Sequence, residues 1–400
     1  MAYKNKYPYI FVHGMMGWGE KEKMYAAMPY WGMVCGNQMK QLRADGIEAY
    51  AQKVSPVGSA WDRACELYAE LKGTTVDYGL AHSREKGHNR FGRKCEGLVK
   101  DWGEPMADGG IKKIHLLGHS FGGATMRMLV SLLEFGSEEE RAATPAGELS
   151  PLFEGGHGEW VKSLTAISAP HDGTTFTHAF PKLMVGVTYG VLALGSVIGN
   201  TGANSVYDFH MEQWGLTEVP GNLTYARNMF NIKAIRKIVK SKDNVFADLR
   251  IDQAMDMNRD IKTSPNVYYF SVAGNGTKPV GDGTYVRDKI MIFAFIPFAK
   301  VMGRFPLQNI NGAEITEEWR PNDGLVSLES ARYPHLEPHC VYDEVKDKPL
   351  KKGIWHVLPD AVADHGTVIG GSITYLGPGK SKPYKDTYNY WINQLENLPD

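Results

Sequence analysis

Two hydrophobic rhythms run along this chain. Ile111–Leu117 reads as a short buried strand, and after it the period changes. Met126, Leu129, Val130 and Leu133 fall at i, i+3, i+4 and i+7, which puts them on one face of a helix. A second strand-like run, Tyr7–Val12, leads into the glycine-bearing segment His13-Gly14-Met15-Met16-Gly17-Trp18-Gly19. Two longer apolar stretches stand out. Leu183–Gly199 carries no charge and four glycines, and it falls short of the ~20 residues a bilayer needs. It predicts a helix that shields an apolar cleft in water, a lid, and not a membrane span. Ile290–Phe298 holds Pro297 and follows charged residues, which predicts a cleft wall or second covering element. Between them, 231–260 is charge-rich and predicts solvated helices. Internal repeats and low-complexity segments are absent.

The join between strand and helix is Gly118-His119-Ser120-Phe121-Gly122, of G-x-S-x-G form. A strand, a sharp turn and a helix form the setting in which that pattern presents a nucleophile. The glycines let neighbouring backbone approach, and the Ser120 hydroxyl stands at a helix N-terminus, where N–H groups face developing negative charge. A serine that only caps a helix is the plainer reading of the pentapeptide alone.

A hydroxyl attacks only when a base takes its proton, so a carboxylate and then a histidine have to follow downstream. Of the thirteen histidines, His365 in a small-residue loop near the C-terminus is the best-placed base, with His335, His339 and His356 as competitors. Asp323, in Asn322-Asp323-Gly324, is the best carboxylate, although such residues also hold ordinary turns. Asp360 and Asp364 stay open. Oxyanion donors are expected from the backbone N–H groups of Met15, in the loop after Tyr7–Val12, and of Phe121.

Taken together, these stretches resemble the large zinc-binding secreted lipases of Bacillus and Geobacillus, with more distant staphylococcal relatives. The matches run in order through His13-Gly14, Gly17-Trp18-Gly19, Trp61–Glu66, Val76–Gly79, Ala81-His82, Gly87-His88, Arg90–Arg93 and His119-Ser120. They continue through Met128–Glu134, Ser150–His157, Pro170–Thr175, Val206–Phe209, Gln213–Leu216, Asn322–Gly324 and Asp364-His365. The resemblance implies an α/β-hydrolase fold with a mostly parallel central sheet, a zinc-binding insertion at 76–93 and a lid and helical cap at 175–260, all in a single domain spanning 1–400. It raises Ser120, Asp323 and His365 to triad positions. It also implies a structural zinc held by Asp62, His82, His88 and Asp248. From the residues alone, the two histidines read as solvated loop positions and Asp62 as a first-turn carboxylate of a helix begun near Ser59.

The chain departs from that pattern in places. Glycine stands at 118 where many of these lipases have alanine, and Phe121 replaces glutamine, putting an apolar side chain at the site while the N–H is kept. The family's calcium ligands would fall on Thr367 and Ser372, neither of which is a carboxylate, so calcium is not expected.

Composition changes little. With 400 residues, 43% of them hydrophobic, the chain can bury a large core, and a net charge of −1 gives no reason to invoke nucleic acid. Four cysteines without a C-x-x-C pair are too sparse for a disulfide framework. Met1–Lys6 lacks the apolar core of an export signal, and the resemblance implies a secreted enzyme whose signal has been removed. The expected activity is a serine carboxylester hydrolase, a triacylglycerol lipase acting on water-insoluble esters. A broad carboxylesterase that also takes polyesters is the alternative within the class. A non-catalytic module that binds a hydrophobic ligand is the alternative outside it.

Overall fold

The computed structural model describes residues 7–217, 231–343, 346 and 349–399. Residues 1–6, and 218–230 inside the expected cap, lie outside the described residues, as do the readings that fall on them.

Seven strands form the main sheet: β1 (Tyr9–Val12), β2 (Ala49–Gln52), β3 (Ile114–His119), β4 (Val161–Ile167), β5 (Tyr268–Val272), β6 (His339–Val341) and β7 (Trp355–Val357). Their order is β6-β7-β5-β4-β3-β1-β2, and every neighbouring pair is parallel. A parallel sheet is covered on both faces, and β3 and β4 are buried at every position, their polar residues His115, His119, Lys162, Ser163 and Thr165 included. The side-chain period of two sorts the residues of β1. Ile10 and Val12 join the core on one face with Leu116, Leu164, Met126, Leu129 and Val130. Tyr9 and Phe11 point the other way, toward Trp31, Leu117, Ile167, Tyr388 and Trp391.

The strand expected at Ile111–Leu117 begins later and runs on to His119, because Ile111 is taken up in an isolated bridge with Pro105. Five helices matter for the site: α1 (Ala60–Lys72), α2 (Gly122–Phe135), α3 (Pro181–Gly199), α4 (Ile232–Ser241) and α5 (Lys382–Glu396). Ser59 caps α1 by accepting from the Asp62 N–H at 3.2 Å. The charge-rich 231–260 segment is helical, yet less solvated than its composition suggests. Ile235, Ile238, Val245, Phe246 and Ile251 are buried, so amphipathic faces turn inward and most charges stay outside, Asp243 being buried with the apolar residues.

Helix α3 inverts the usual pattern. Its buried positions are Met184, Thr188, Leu192, Gly195, Ser196 and Gly199, while Leu183, Val185 and Leu194 are each at least half exposed. It is long and apolar enough to cross a membrane by length and composition, and one third of its most apolar stretch is buried in the fold. No disulfide joins Cys35, Cys65, Cys95 and Cys340.

Candidate active site and metal centre

Ser120 sits at the turn from β3 into α2, with φ of 56° in the left-handed region that L-residues avoid. Its N–H is held by the Ile167 carbonyl of β4 at 2.9 Å. The glycines around it make the turn possible. A Cβ at Gly118 would come within 2.4 Å of the Met126 methyl, and one at Gly122 within 2.3 Å of the Val12 carbonyl. The loop after β1 closes over the serine so tightly that a Cβ at Gly14 would meet the Ser120 Cβ at 2.7 Å. Among the described residues, the N–H groups of Met15 and Phe121 donate to no other protein acceptor.

Asp323 and His365 come together on loops beyond the C-terminal ends of the strands. The His365 Nδ1–H donates to Asp323 Oδ2 at 2.7 Å, and the His365 N–H donates to the Asp323 carbonyl at 2.9 Å. The other carboxylate oxygen accepts from the Leu325 and Val326 N–H groups at 2.9 and 2.8 Å, so Asp323 is fully buried and fully hydrogen-bonded. With Nδ1 engaged, Nε2 is the ring position left for another partner. The competing residues have other partners: Asp360 pairs with Arg332, Asp364 accepts from the Gly366 and Thr367 N–H groups, and His335 pairs with Asp172 and Glu329. His339 lies flat on Tyr333, and His356 reaches the Tyr269 carbonyl.

A relay not legible in the sequence ties the His365 loop to the serine. His119 Nε2 faces the His365 carbonyl at 3.0 Å, and a carbonyl only accepts, so this nitrogen carries the proton. Nδ1 therefore accepts from the Tyr30 hydroxyl at 2.6 Å, which in turn accepts from the Gly14 N–H at 3.0 Å. Burial, reinforced by the neighbouring His365 ring, pushes His119 well below the usual imidazole range and keeps it neutral. Arg63 is a second unforeseen member. Fully buried, it donates to the carbonyls of His13 and Ser55 and to the Thr125 hydroxyl, which locks the loop after β1 to α2. The segment 292–302 lies across the same site, with the Phe295 ring 6.3 Å from that of His365.

A second cluster lies behind α1. Asp62 Oδ1, His82 Nε2, His88 Nε2 and Asp243 Oδ2 converge within 4.8 Å of one another. The nitrogen–oxygen separations are 3.2, 3.5, 3.8 and 3.2 Å. All four atoms are buried without a hydrogen-bond partner. Orphaned polar atoms are costly unless a missing ligand satisfies them. A tetrahedral ion with bonds of ~2.0–2.1 Å would hold its ligands roughly 3.3 Å apart, so the residues fit such an ion. Outer partners orient the ligands: His88 Nδ1–H donates to the Asn89 carbonyl at 2.8 Å, and Gln213 holds Asp62 Oδ2 at 2.8 Å. The rings of His82 and His88 stand against Trp61 and Trp214.

Asp248, expected as the fourth ligand, is not in this group; Asp243 takes the place. Lys242, in the left-handed region at φ 61°, turns the chain after α4 so that Asp243 faces the histidines. Asp248, on the short helix Val245–Asp248, accepts from the Ala60 N–H at 2.8 Å instead. Its burial, with Asp243 and Asp62 nearby, raises its carboxyl to about 7.

A parallel sheet of this order, with a serine on the turn into α2 and an aspartate–histidine pair on later loops, is an α/β-hydrolase-like fold. Residues 5–397 match the family described as Lipase-like, C-terminal domain, and the chain belongs to that family. A lipase of Staphylococcus epidermidis is 39% identical over 379 residues, covering 93% of this chain and 51% of that protein. Lipase 1 of Staphylococcus aureus is 38% identical over 362 residues, with 89% and 49% covered. The chain thus spans about half the length of the curated relatives it matches. Among solved structures, the Staphylococcus hyicus lipase superposes with a TM-score of 0.82 at 33% identity, covering 98% of this chain and 97% of that one. Lipase 1 from Pelosinus fermentans gives 0.78 at 35% identity, covering 99% of this chain and 100% of the other.

Proposed function

We propose that this protein is a serine carboxylester hydrolase of the lipase kind, acting on water-insoluble acyl esters. The observation that carries the reading is the buried Asp323–His365 pair, fastened through His119 to the turn that bears Ser120. In this reaction Ser120 attacks the ester carbonyl while His365 Nε2 takes its proton and then delivers it to the alcohol leaving group. Asp323 holds the ring in the tautomer that makes this possible. The Met15 and Phe121 N–H groups stabilise the oxyanion, and water attacks the acyl-enzyme to close the cycle. Helix α3 serves as the lid, its exposed apolar face turned to lipid at an interface.

Asp62, His82, His88 and Asp243 hold a structural zinc as a closed site, two carboxylates and two imidazoles as the resemblance to the Bacillus and Geobacillus lipases implies, with Asp243 in place of the expected Asp248. The ion contributes folding energy and takes no step in hydrolysis. The resemblance that implies the zinc also implies a protein that works outside the cell.

Labelling with a fluorophosphonate probe tests the nucleophile. The parent protein is expected to react and Ser120→Ala to stay unlabelled; equal labelling of both would overturn the assignment. Rates on tributyrin across its solubility limit separate a lipase from a plain carboxylesterase. A jump at the limit fits a lid, and smooth saturation refutes it.

A further inference from the structure

We propose a second divalent-metal site, formed by Asp208, His210 and Glu212 and independent of the catalytic reading. His210 Nδ1 stands 3.6 Å from Asp208 Oδ2 and 3.8 Å from Glu212 Oε1, and these donor atoms lie within 4.8 Å of one another. The imidazole is 2% exposed, and both of its ring nitrogens are buried without a hydrogen-bond partner. A ring serving only as a hydrogen-bond donor would bring its N–H groups to roughly 2.7–3.2 Å from an acceptor. The carboxylates stop short of that distance on every side. Such spacing is too long for hydrogen bonds and close to what two ligands of one ion require.

The rest of the ring's surroundings suit a ligand. Nε2, the nitrogen turned away from the pair, faces Glu22 Oε1 at 3.9 Å. Glu22 is fixed by the Gly19 and Asp208 N–H groups at 2.8 and 3.2 Å. At that distance Glu22 does not hydrogen-bond the ring, and it adds negative charge behind it. Arg93 approaches the other oxygen of Glu212, Oε2, at 3.7 Å and leaves Oε1 to the ion. Asp208 Oδ1 accepts from the His210 N–H at 3.0 Å, a turn that directs Oδ2 inward. His210 itself adopts φ of 49°, a strained conformation for a non-glycine residue that aims its ring at the carboxylates.

One imidazole and two carboxylates suit a borderline divalent cation such as zinc, with water completing the shell through the partly exposed Asp208. The site lies on the segment that supports α3: the Phe209 ring packs where a Cβ on Gly195 would come within 2.6 Å. Gln213, three residues after His210, holds Asp62 of the first cluster. An ion here would brace the base of that helix.

The test is metal content after reconstitution with Zn²⁺ and removal of free ion, with no reading of activity. Relative to the parent, His210→Asn, which suits the left-handed backbone, is expected to lose about one equivalent per chain. Asp208→Asn, which keeps the turn to the His210 N–H, is expected to lose the same equivalent and guards against misfolding of the first variant. In both, the ion bound by the His82 cluster remains. Metal content equal to the parent in either correctly folded variant overturns the proposal.

Discussion

The imidazole of His119 donates from Nε2 to the backbone carbonyl of His365 at 3.0 Å, so the residue beside the serine helps to set the position of the proposed base. The same ring is held from behind by Tyr30, which also takes the Gly14 N–H. Tyr30→Phe removes both contacts and leaves the triad intact. We expect kcat on a soluble p-nitrophenyl ester to fall about 10- to 100-fold, with KM nearly unchanged. An unchanged kcat would show that the relay is only structural.

Asp323→Asn keeps the shape of the carboxylate but no longer enforces a proton on His365 Nδ1. The expected loss in kcat is roughly 10⁴-fold, with the fold unchanged by circular dichroism. A loss below about tenfold would place the orienting acid elsewhere.

The left-handed conformation of Ser120 stores strain, on the order of 1–3 kcal/mol for a non-glycine residue. Ser120→Gly is therefore expected to be about 1 kcal/mol more stable to urea than Ser120→Ala, both being inactive. Equal stability of the two would mean that the turn is relaxed.

Asp243→Asn and Asp248→Asn separate the two candidate fourth ligands. Losing an outer partner of a metal costs roughly 10- to 100-fold in affinity, and losing a ligand should exceed that. We expect Asp243→Asn to release the ion of the first cluster to a mild chelator and to lower Tm, while Asp248→Asn retains it. The reverse pattern would restore Asp248.

His335 offers a stability switch away from both sites. Burial works against its charge, but the Asp172 hydrogen bond and the Glu329 carboxylate outweigh this and lift the ring to about 10. A folded-state pKa raised above the unfolded ~6.5 stabilises fully below pH ~6.5, and the benefit drains away as pH rises toward 10. His335→Gln should thus be less stable than the parent at pH 6, with the difference shrinking steadily by pH 9.5. A constant difference across that range would show that the ring is neutral when folded.

Much of the candidate site could be named from the sequence because its chemistry is written locally. The period change around Ser120 marks strand and helix, and Asn322-Asp323-Gly324 is a turn whatever surrounds it. The fourth metal ligand could not be read this way. Asp243 and Asp248 are five positions apart in the same charge-rich stretch, and which of them faces His82 depends on the left-handed turn at Lys242. Tyr30, Arg63 and His119 act through contacts across 89 residues (Tyr30 to His119), 62 (Arg63 to Thr125) and 246 (His119 to His365), which no local pattern encodes. His210 falls between the stretches Val206–Phe209 and Gln213–Leu216, and the carboxylate nearest its Nε2, Glu22, comes from 188 positions earlier (210 − 22).

The inverted polarity of helix α3 bears on how the protein behaves before it meets any ester. Leu183, Val185 and Leu194 offer an oily strip to water, so the molecule should cling to plastic, filters and octyl resins. Dilute stocks should lose material to vessel walls, and a trace of non-ionic detergent should recover it.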